Sequence, residues 1–213
     1  MDSAQKVTWS TMLYLFADRF IPPDKALTVG IEVPCKNIKV QRKPLTAEMF
    51  AVAFHSLREA GVITMELTTK KVLFVKTTRV GVTLVKQESR PGLEGAIVAN
   101  AGGEDHVKGI IRAWYGQDVD DPWSMVIKEG VDEAIGAGLM GHVDAERGAV
   151  GSLLMGKTRV EPKCEQIATL QPEFDLWAGR WDLFKGNEAQ LYKELVGECG
   201  NAIQSRLEQD DND

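Results

Sequence analysis

The sequence lacks an apolar segment long enough to cross a membrane. Its apolar runs fall far short of the roughly 20 residues that a spanning helix needs, although 44% of the 213 residues are hydrophobic. The first residues also lack the basic region and apolar stretch of a secretory signal. Hydrophobic content of 44% with 26% charged residues is ordinary for a globular protein. These features predict a globular cytoplasmic protein whose contact with a membrane, if it makes one, is peripheral.

Cysteine is also scarce. The chain has three cysteines, Cys35, Cys164 and Cys199, which are far apart and odd in number. Disulfide frameworks usually use an even number of cysteines in a small secreted domain. The pattern therefore predicts free, buried thiols in a reducing cytoplasm.

Arrangements typical of metal sites and catalysis are missing. The histidines His55, His106 and His142 are far apart, and none lies at metal-ligand spacing from a cysteine. The acidic run that ends at Asp121 has Trp123 where a calcium loop needs glycine. No GxSxG nucleophile motif occurs. We therefore predict no metal site, no catalytic residues, and a binding protein rather than an enzyme.

Two glycine-containing segments match nucleotide-binding patterns in letters but not in context. Residues 151–158, GSLLMGKT, match the phosphate-loop pattern, which needs a strand before it and a helix after it. Pro162 lies where that helix would run, so the segment is predicted to be a hairpin strand. Residues 136–141, GAGLMG, match the dinucleotide fingerprint but follow a helix instead of a strand. We interpret these glycines as the helix end and the start of a hairpin, and we predict no cofactor.

What the chain does contain is an order of helices and hairpins that repeats. In the first half, a helix is predicted over 3–20, a strand over 26–33, and a helix that begins after the N-cap Thr46 and ends at Gly61. A hairpin with its turn at 68–71 follows.

The second half repeats this order with more helices. Its predicted elements are short helices at 92–100 and 104–115, a longer helix capped by Asp121 with Pro122 at its first position, a second hairpin, and helices at 172–185 and 187–207. The whole pattern predicts a mainly α fold with β-hairpins (α+β). We interpret it as two winged-helix-like lobes, residues 1–88 and 89–213, the second of which includes the C-terminal helices.

Charge differs sharply between the two halves. Residues 1–90 carry 14 Lys and Arg against 8 Asp and Glu, whereas residues 91–213 carry 11 against 23. The basic half is predicted to bind an anionic partner, either a lipid head group or nucleic acid, with a merely solvated surface as the equal alternative. The acidic half is predicted to confer solubility or to bind a second protein or another copy of the chain. The predicted anion-binding residues are Lys36, Lys39, Arg42, Lys43, Lys70, Lys71, Lys76 and Arg79.

From residue 8 to about residue 160, the order of elements resembles the Golgi phosphoprotein 3-like family. The similar stretches are TWSTMLYLFADR, FHSLREAGVI before the first hairpin, LEGAIV, HVKGIIRAWYG, and IKEGVDEAIGAGLM before the second hairpin. Eukaryotic members are cytoplasmic and bind phosphatidylinositol 4-phosphate. The resemblance therefore implies a peripheral adaptor that binds phosphoinositide-type head groups.

The chain departs from that family in two places. VQRKPLTAEMF stands where the family has a Trp- and Arg-bearing segment, so that only Arg42 and Lys43 offer comparable charge. The helix predicted at 122–137 has Lys128 where family members tend to show arginine. The last 50 residues resemble no family.

The alternative prediction is a tandem winged-helix protein that binds DNA or assembles a chromosome or transcription complex through protein contacts. Reading DNA requires a basic, exposed recognition helix. The helix at 46–60 carries Arg58 beside Glu48 and Glu59, and the helix at 122–137 is acidic. These charges weaken base reading but leave assembly through protein contacts open.

Overall fold

The computed structural model describes residues 7–25, 30–72, 75–116, 119, 121–144 and 158–210. Across these residues, three two-stranded antiparallel sheets accompany a larger number of helices, so the predicted mainly α, α+β fold is confirmed. The helices are α1 (Trp9–Leu15), a 3-10 helix (Ala17–Arg19), α2 (Arg42–Glu59), α3 (Gly92–Asn100), α4 (Val107–Tyr115), α5 (Pro122–Gly136), α6 (Cys164–Thr169), α7 (Gln171–Asn187) and α8 (Ala189–Asp210). The strands are β1 (Ile31–Glu32), β2 (Lys39–Val40), β3 (Ile63–Val72), β4 (Val75–Leu84), β5 (Met140–Asp144) and β6 (Thr158–Pro162).

Helix α2 is the centre of the fold. Twelve of its 18 residues are buried, and α1, α3, α5, α8 and β3 all pack against it. The prediction that Thr46 is its N-cap is wrong, because the helix begins at Arg42 after an extended Gln41. Pro44 fits there since N–H groups of the first turn have no helical acceptor. The Thr46 hydroxyl instead donates to the carbonyl oxygens of Arg42 and Lys43 within the helix.

The amino-terminal helix is shorter than the predicted 3–20. Helix α1 ends at Leu15 because Phe16 leaves the helical conformation, with φ −121° and ψ 33°, and the 3-10 helix follows. At its start, Thr8 Oγ1 accepts a hydrogen bond from the Thr11 N–H. The Glu133 carboxylate of α5 accepts hydrogen bonds from the Thr8 N–H and from the hydroxyls of Thr8 and Thr11. The first helix is thus capped by a side chain far away in sequence.

The first hairpin extends further than predicted. Strands β3 and β4 pair continuously from Ile63 opposite Leu84 to Val72 opposite Val75. The predicted turn at 68–71 is therefore wrong, and the threonines in that segment are residues that favour strands. The predicted strand at 26–33 reduces to Ile31–Glu32, with residues 26–29 outside the described residues.

The second hairpin agrees with its prediction where it is described. Strand β6 pairs with β5 from Met140 opposite Pro162 to Asp144 opposite Thr158. Residues 145–157, which include most of the phosphate-loop match, lie outside the described residues. Helix α5 ends at Gly136 and Gly138 has φ 75°, so the interpretation of residues 136–141 as a helix end followed by a hairpin is confirmed.

The carboxy-terminal helices complete the core. Helix α7 buries a row of aromatic side chains, and α8 packs against α2, α4 and β4. Buried residues from both predicted lobes form one cluster. The division at residue 88 and the winged-helix likeness of each lobe stay predictions. Within the described part of the chain, no helix is both long and apolar enough to span a membrane.

Two of the three cysteines form a disulfide, which corrects the prediction of free thiols. Cys35 follows β1 and Cys164 begins α6, and their Cα atoms are 5.5 Å apart despite a separation of 129 residues. Sequence spacing gave no signal for this pair because the fold alone brings the two segments together. Cys199 is free and buried, as predicted.

Candidate functional site

The four predicted cations of residues 36–43, a segment that we call the basic loop although it includes β2 and the first residues of α2, are largely engaged within the protein. Lys36 Nζ lies 2.7 and 2.6 Å from the two Asp18 carboxylate oxygens. Lys43 Nζ donates to Gln204 Oε1 at 2.9 Å and lies 5.7 Å from the centre of the Trp123 ring. These two charges therefore stabilise contacts of the loop with the core.

Arg42 is the third loop cation with an internal partner. Its guanidinium donates to Asp121 Oδ2 at 2.7 Å, and Asp121 caps α5 by accepting from the Ser124 N–H. Burial acts to raise the pKa of Asp121, but the hydrogen bonds from Ser124 and the charge of Arg42 outweigh it and lower that pKa. Lys39 differs from these cations because it is exposed on β2, in register with Glu32.

The predicted hairpin cations lie on paired strands. Lys71 is the register partner of Lys76, and Lys70 is that of Thr77, one and two steps from the last pair of the ladder. Arg79 lies on β4 closer to the body of the protein, opposite Thr68. The hairpin thus places three lysines towards its far end and an arginine towards its base.

Arg79 opens onto a cleft of about 600 Å³ between β4, α4 and α8, which we call the basic cleft. It brings together side chains that are far apart in sequence. The lining residues are Thr77, Thr78, Arg79, His106, Lys108, Arg112, Glu194, Gly197, Glu198 and Asn201.

Glu198 of α8 joins the three elements around the basic cleft. Its Oε1 accepts from the Val80 N–H of β4 at 2.7 Å, and the Lys108 backbone N–H of α4 also interacts favourably with its carboxylate. Lys108 lies in the first turn of α4, where free N–H groups and the helix dipole favour a negative charge. Burial raises the pKa of Glu198, against the lowering effect of these two N–H groups. Glu198 Oε2 is buried and has no hydrogen-bond partner among the described residues.

Three permanent cations line the same cleft as this carboxylate. Arg112 donates to Ser205 Oγ at 2.8 and 3.3 Å and so projects across from α4 to α8. The Arg79 guanidinium is attracted to the Glu198 carboxylate but makes no ion pair within 4.0 Å of any residue that the structure describes. With Lys108, these residues outnumber the two lining carboxylates, Glu194 and Glu198. The basic cleft can therefore bind an anion through charge-assisted hydrogen bonds.

A smaller recess of about 320 Å³ adjoins the basic cleft. It shares Arg79 and His106 with the cleft and continues along β4 past Gly81 to Thr83. His106 Nδ1 lies 2.9 Å from Asp105 Oδ1, which orients the ring at the junction. Among the described residues, no group of three His, Cys, Asp or Glu could hold a metal ion.

Sequence reasoning found Arg79 but missed the other cations of the basic cleft. Lys108 and Arg112 are four residues apart in HVKGIIRAWYG, so they lie on the same face of a helix. That spacing was a usable signal for a basic helix face. No local pattern could have placed that face against β4 and Glu198.

Comparison of the chain with protein-family models, with curated proteins and with solved structures found no match.

Proposed function

We propose that the protein is a non-enzymatic binding protein that holds a phosphate-bearing head group of an anionic lipid in the basic cleft. The observation that carries this proposal is the convergence of Arg79, Lys108 and Arg112 around one open volume. Arginine is suited to phosphate because its planar guanidinium can bind two oxygens at once. A cleft of about 600 Å³ is within the size range of sites that hold small molecules.

The first hairpin supports a membrane as the source of the head group. Lys70, Lys71 and Lys76 lie towards the far end of its strands, around the apolar segment 72–75, VLFV. Each Lys or Arg near an anionic membrane surface contributes about 1 kcal/mol to binding. The hairpin lysines would add a general attraction to the membrane, and the basic cleft would add recognition of the phosphate. The resemblance to the Golgi phosphoprotein 3-like family remains a prediction that agrees with this proposal. The cytoplasmic location also remains a prediction, and the disulfide removes the free-thiol pattern on which it partly depended.

DNA reading by a winged helix receives less support. The helix before the first hairpin is α2, which is mostly buried and contains the buried Glu48. A recognition helix must instead offer its side chains to the major groove. Assembly through protein contacts does not need this exposure and remains the alternative.

Co-sedimentation with vesicles tests the proposal. Vesicles of phosphatidylcholine alone would be compared with vesicles that also contain a phosphoinositide. The site variant is Arg79→Gln/Lys108→Gln/Arg112→Gln, and the matched control is Lys86→Gln/Lys128→Gln/Lys163→Gln. Both triple variants lose three positive charges, so a general effect of net charge would weaken them equally.

We expect the wild type and the control to bind the phosphoinositide vesicles with similar affinity. The site variant should bind at least about tenfold more weakly, since three contacts of about 1 kcal/mol are lost and 1.4 kcal/mol corresponds to tenfold. Equal binding by all three proteins would refute the basic cleft as the site. A duplex-DNA shift at two salt concentrations, abolished by the site variant alone, would instead favour nucleic acid as the ligand.

A further inference from the structure

Helix α7 has one buried face and one exposed apolar face. Its buried face packs against the core through aromatic rings that contact Trp9 of α1, His55 of α2 and Tyr192 of α8. On the opposite side, Leu176 and Leu183 are 72% and 63% exposed, the two highest values among the large hydrophobic side chains that the structure describes. The buried residues of α7 are Phe174, Trp177, Ala178, Trp181 and Phe184.

The two exposed leucines form a line along the helix. They are seven residues apart, and two turns of a helix bring such residues to nearly the same side. Gly179 lies between them, and a Cβ at that position would meet nothing within 4 Å. A second helix can therefore approach the backbone closely along this line.

The two sides of this line carry different charges, with two aspartates on one side and Glu173 and Arg180 on the other. At 100° per residue, Arg180 lies about 40° to one side of Leu176, whereas Asp175 lies about 100° to the other side. Asp182 lies on the same side as Asp175. Arg180 and Asp175 thus occupy the positions that flank the contact line of a coiled coil.

We propose that two copies of this chain associate through this face, with their α7 helices parallel around a two-fold axis. In a parallel pair, opposite flanks meet, so Asp175 of each copy faces Arg180 of the other. In an antiparallel pair, like flanks meet, so the aspartates of the two copies would face each other on one side, and Glu173 and Arg180 of one copy would face the same two residues of the other. Because the parallel pair joins Asp175 to Arg180 and avoids the contact between aspartates, the charge pattern favours a second copy of the chain, in the parallel direction, as the occupant.

The internal contacts of these charges leave room for the pairing. Arg180 lies 3.0 Å from Glu59, but its side chain is 52% exposed and a guanidinium has five N–H donors. Asp175 accepts one hydrogen bond from Gln171, and a carboxylate can accept several. Asp182 is 3.7 Å from Arg19 in an exposed pair, which holds it only weakly.

Sedimentation velocity over a range of protein concentrations tests the association. The wild type should shift from the 23.5 kDa monomer towards twice that mass as the concentration rises. Leu176→Ser/Leu183→Ser should stay monomeric, whereas the control Leu67→Ser/Val85→Ser, which changes exposed apolar residues elsewhere, should behave as the wild type. Thermal unfolding of the wild type and of both double variants verifies that each variant retains the fold. A wild type that remains monomeric, or a control that loses association equally, overturns the proposal.

Charge reversal tests the direction of the helices. In the parallel pair, Asp175→Arg places two arginines together and should weaken association several-fold, and Asp175→Arg/Arg180→Asp should restore it. In an antiparallel pair, Asp175→Arg would remove a repulsion and strengthen association. Stronger association of the single variant would therefore overturn the parallel arrangement.

Discussion

The basic loop and the basic cleft contain similar numbers of cations but use them differently. In the loop of residues 36–43, Lys36 and Arg42 each bind a carboxylate of the same chain at 2.6–2.7 Å. In the basic cleft, Arg79 faces an open volume and makes no ion pair within 4.0 Å among the described residues, and the nearby Glu198 carboxylate attracts it without a direct contact. A run of cations in sequence therefore does not by itself identify a binding surface. What matters is whether the fold supplies the opposing charges from the protein or leaves them to a ligand.

The largest expected effect concerns the covalent link of the loop. Cys35→Ser/Cys164→Ser removes the disulfide that joins the loop segment to α6, and both side chains are exposed, so serine is tolerated locally. We expect the free energy of unfolding to fall by about 2–4 kcal/mol, because the cross-link closes a long loop in the unfolded chain. Urea unfolding measures this loss. Reductant should destabilise the wild type and leave the variant unchanged; an equal response of both proteins would show that the bond contributes nothing.

A smaller loss is expected from Arg42→Ala. This change removes the partner of Asp121 at the start of α5 and should lower the free energy of unfolding by about 1 kcal/mol, since the pair is only partly buried. The lowered pKa of Asp121 gives the effect a pH dependence. The pair of Arg42 and Asp121 stabilises the folded protein above the pKa of Asp121 in the unfolded chain, near 3.8. This stabilisation is lost as the pH falls through the lower pKa of Asp121 in the folded protein.

Urea unfolding between pH 3 and pH 7 measures the Arg42→Ala effect. The difference from the wild type should shrink towards the acid end of that range. Vesicle binding should change little, because Arg42 serves the fold. If Arg42→Ala unfolds like the wild type but fails to bind vesicles, the basic loop belongs to the binding site, and the contrast between the basic loop and the basic cleft is wrong.

Features fixed by neighbouring residues were predictable from the sequence. Asp121 and Pro122 begin α5 as predicted because an N-cap and a proline at the first position act locally. The start of α2 was not predictable, since Pro44 is compatible both with a loop before a helix and with the first turn of a helix. The threonines at 68 and 69 likewise suit a turn or a strand, and pairing with β4 decides between them.

Contacts between segments that are distant in sequence were not predictable. The disulfide joins positions 129 residues apart. The basic cleft takes Arg79 from a strand, Lys108 and Arg112 from a helix, and Glu198 from the last helix. Charge counts indicate which half of the sequence is basic. They carry no information on which of its cations form ion pairs with acidic residues in the folded protein.

The smallest expected effect, and the sharpest test of the basic cleft, is that of Glu198→Gln. Glutamine keeps an oxygen that can accept from the Val80 N–H but removes the negative charge at the floor of the cleft. Binding of phosphoinositide vesicles at pH 7 should therefore strengthen several-fold, whereas Glu165→Gln, an equal change of charge on exposed α6, should have no effect.

The raised pKa of Glu198, caused first by burial, gives this variant a distinctive pH profile. The folded protein favours the protonated carboxyl of Glu198. The stabilising contribution of this form is complete below the pKa of Glu198 in the unfolded chain, near 4.5, and is lost as the pH rises through its higher pKa in the folded protein. Wild-type binding should accordingly tighten as the pH falls through that range, because the cleft loses a negative charge, and the variant should lack this component. If both proteins show the same pH profile, Glu198 does not face the bound anion, and the ligand must lie towards Arg112 and the outer rim of the cleft.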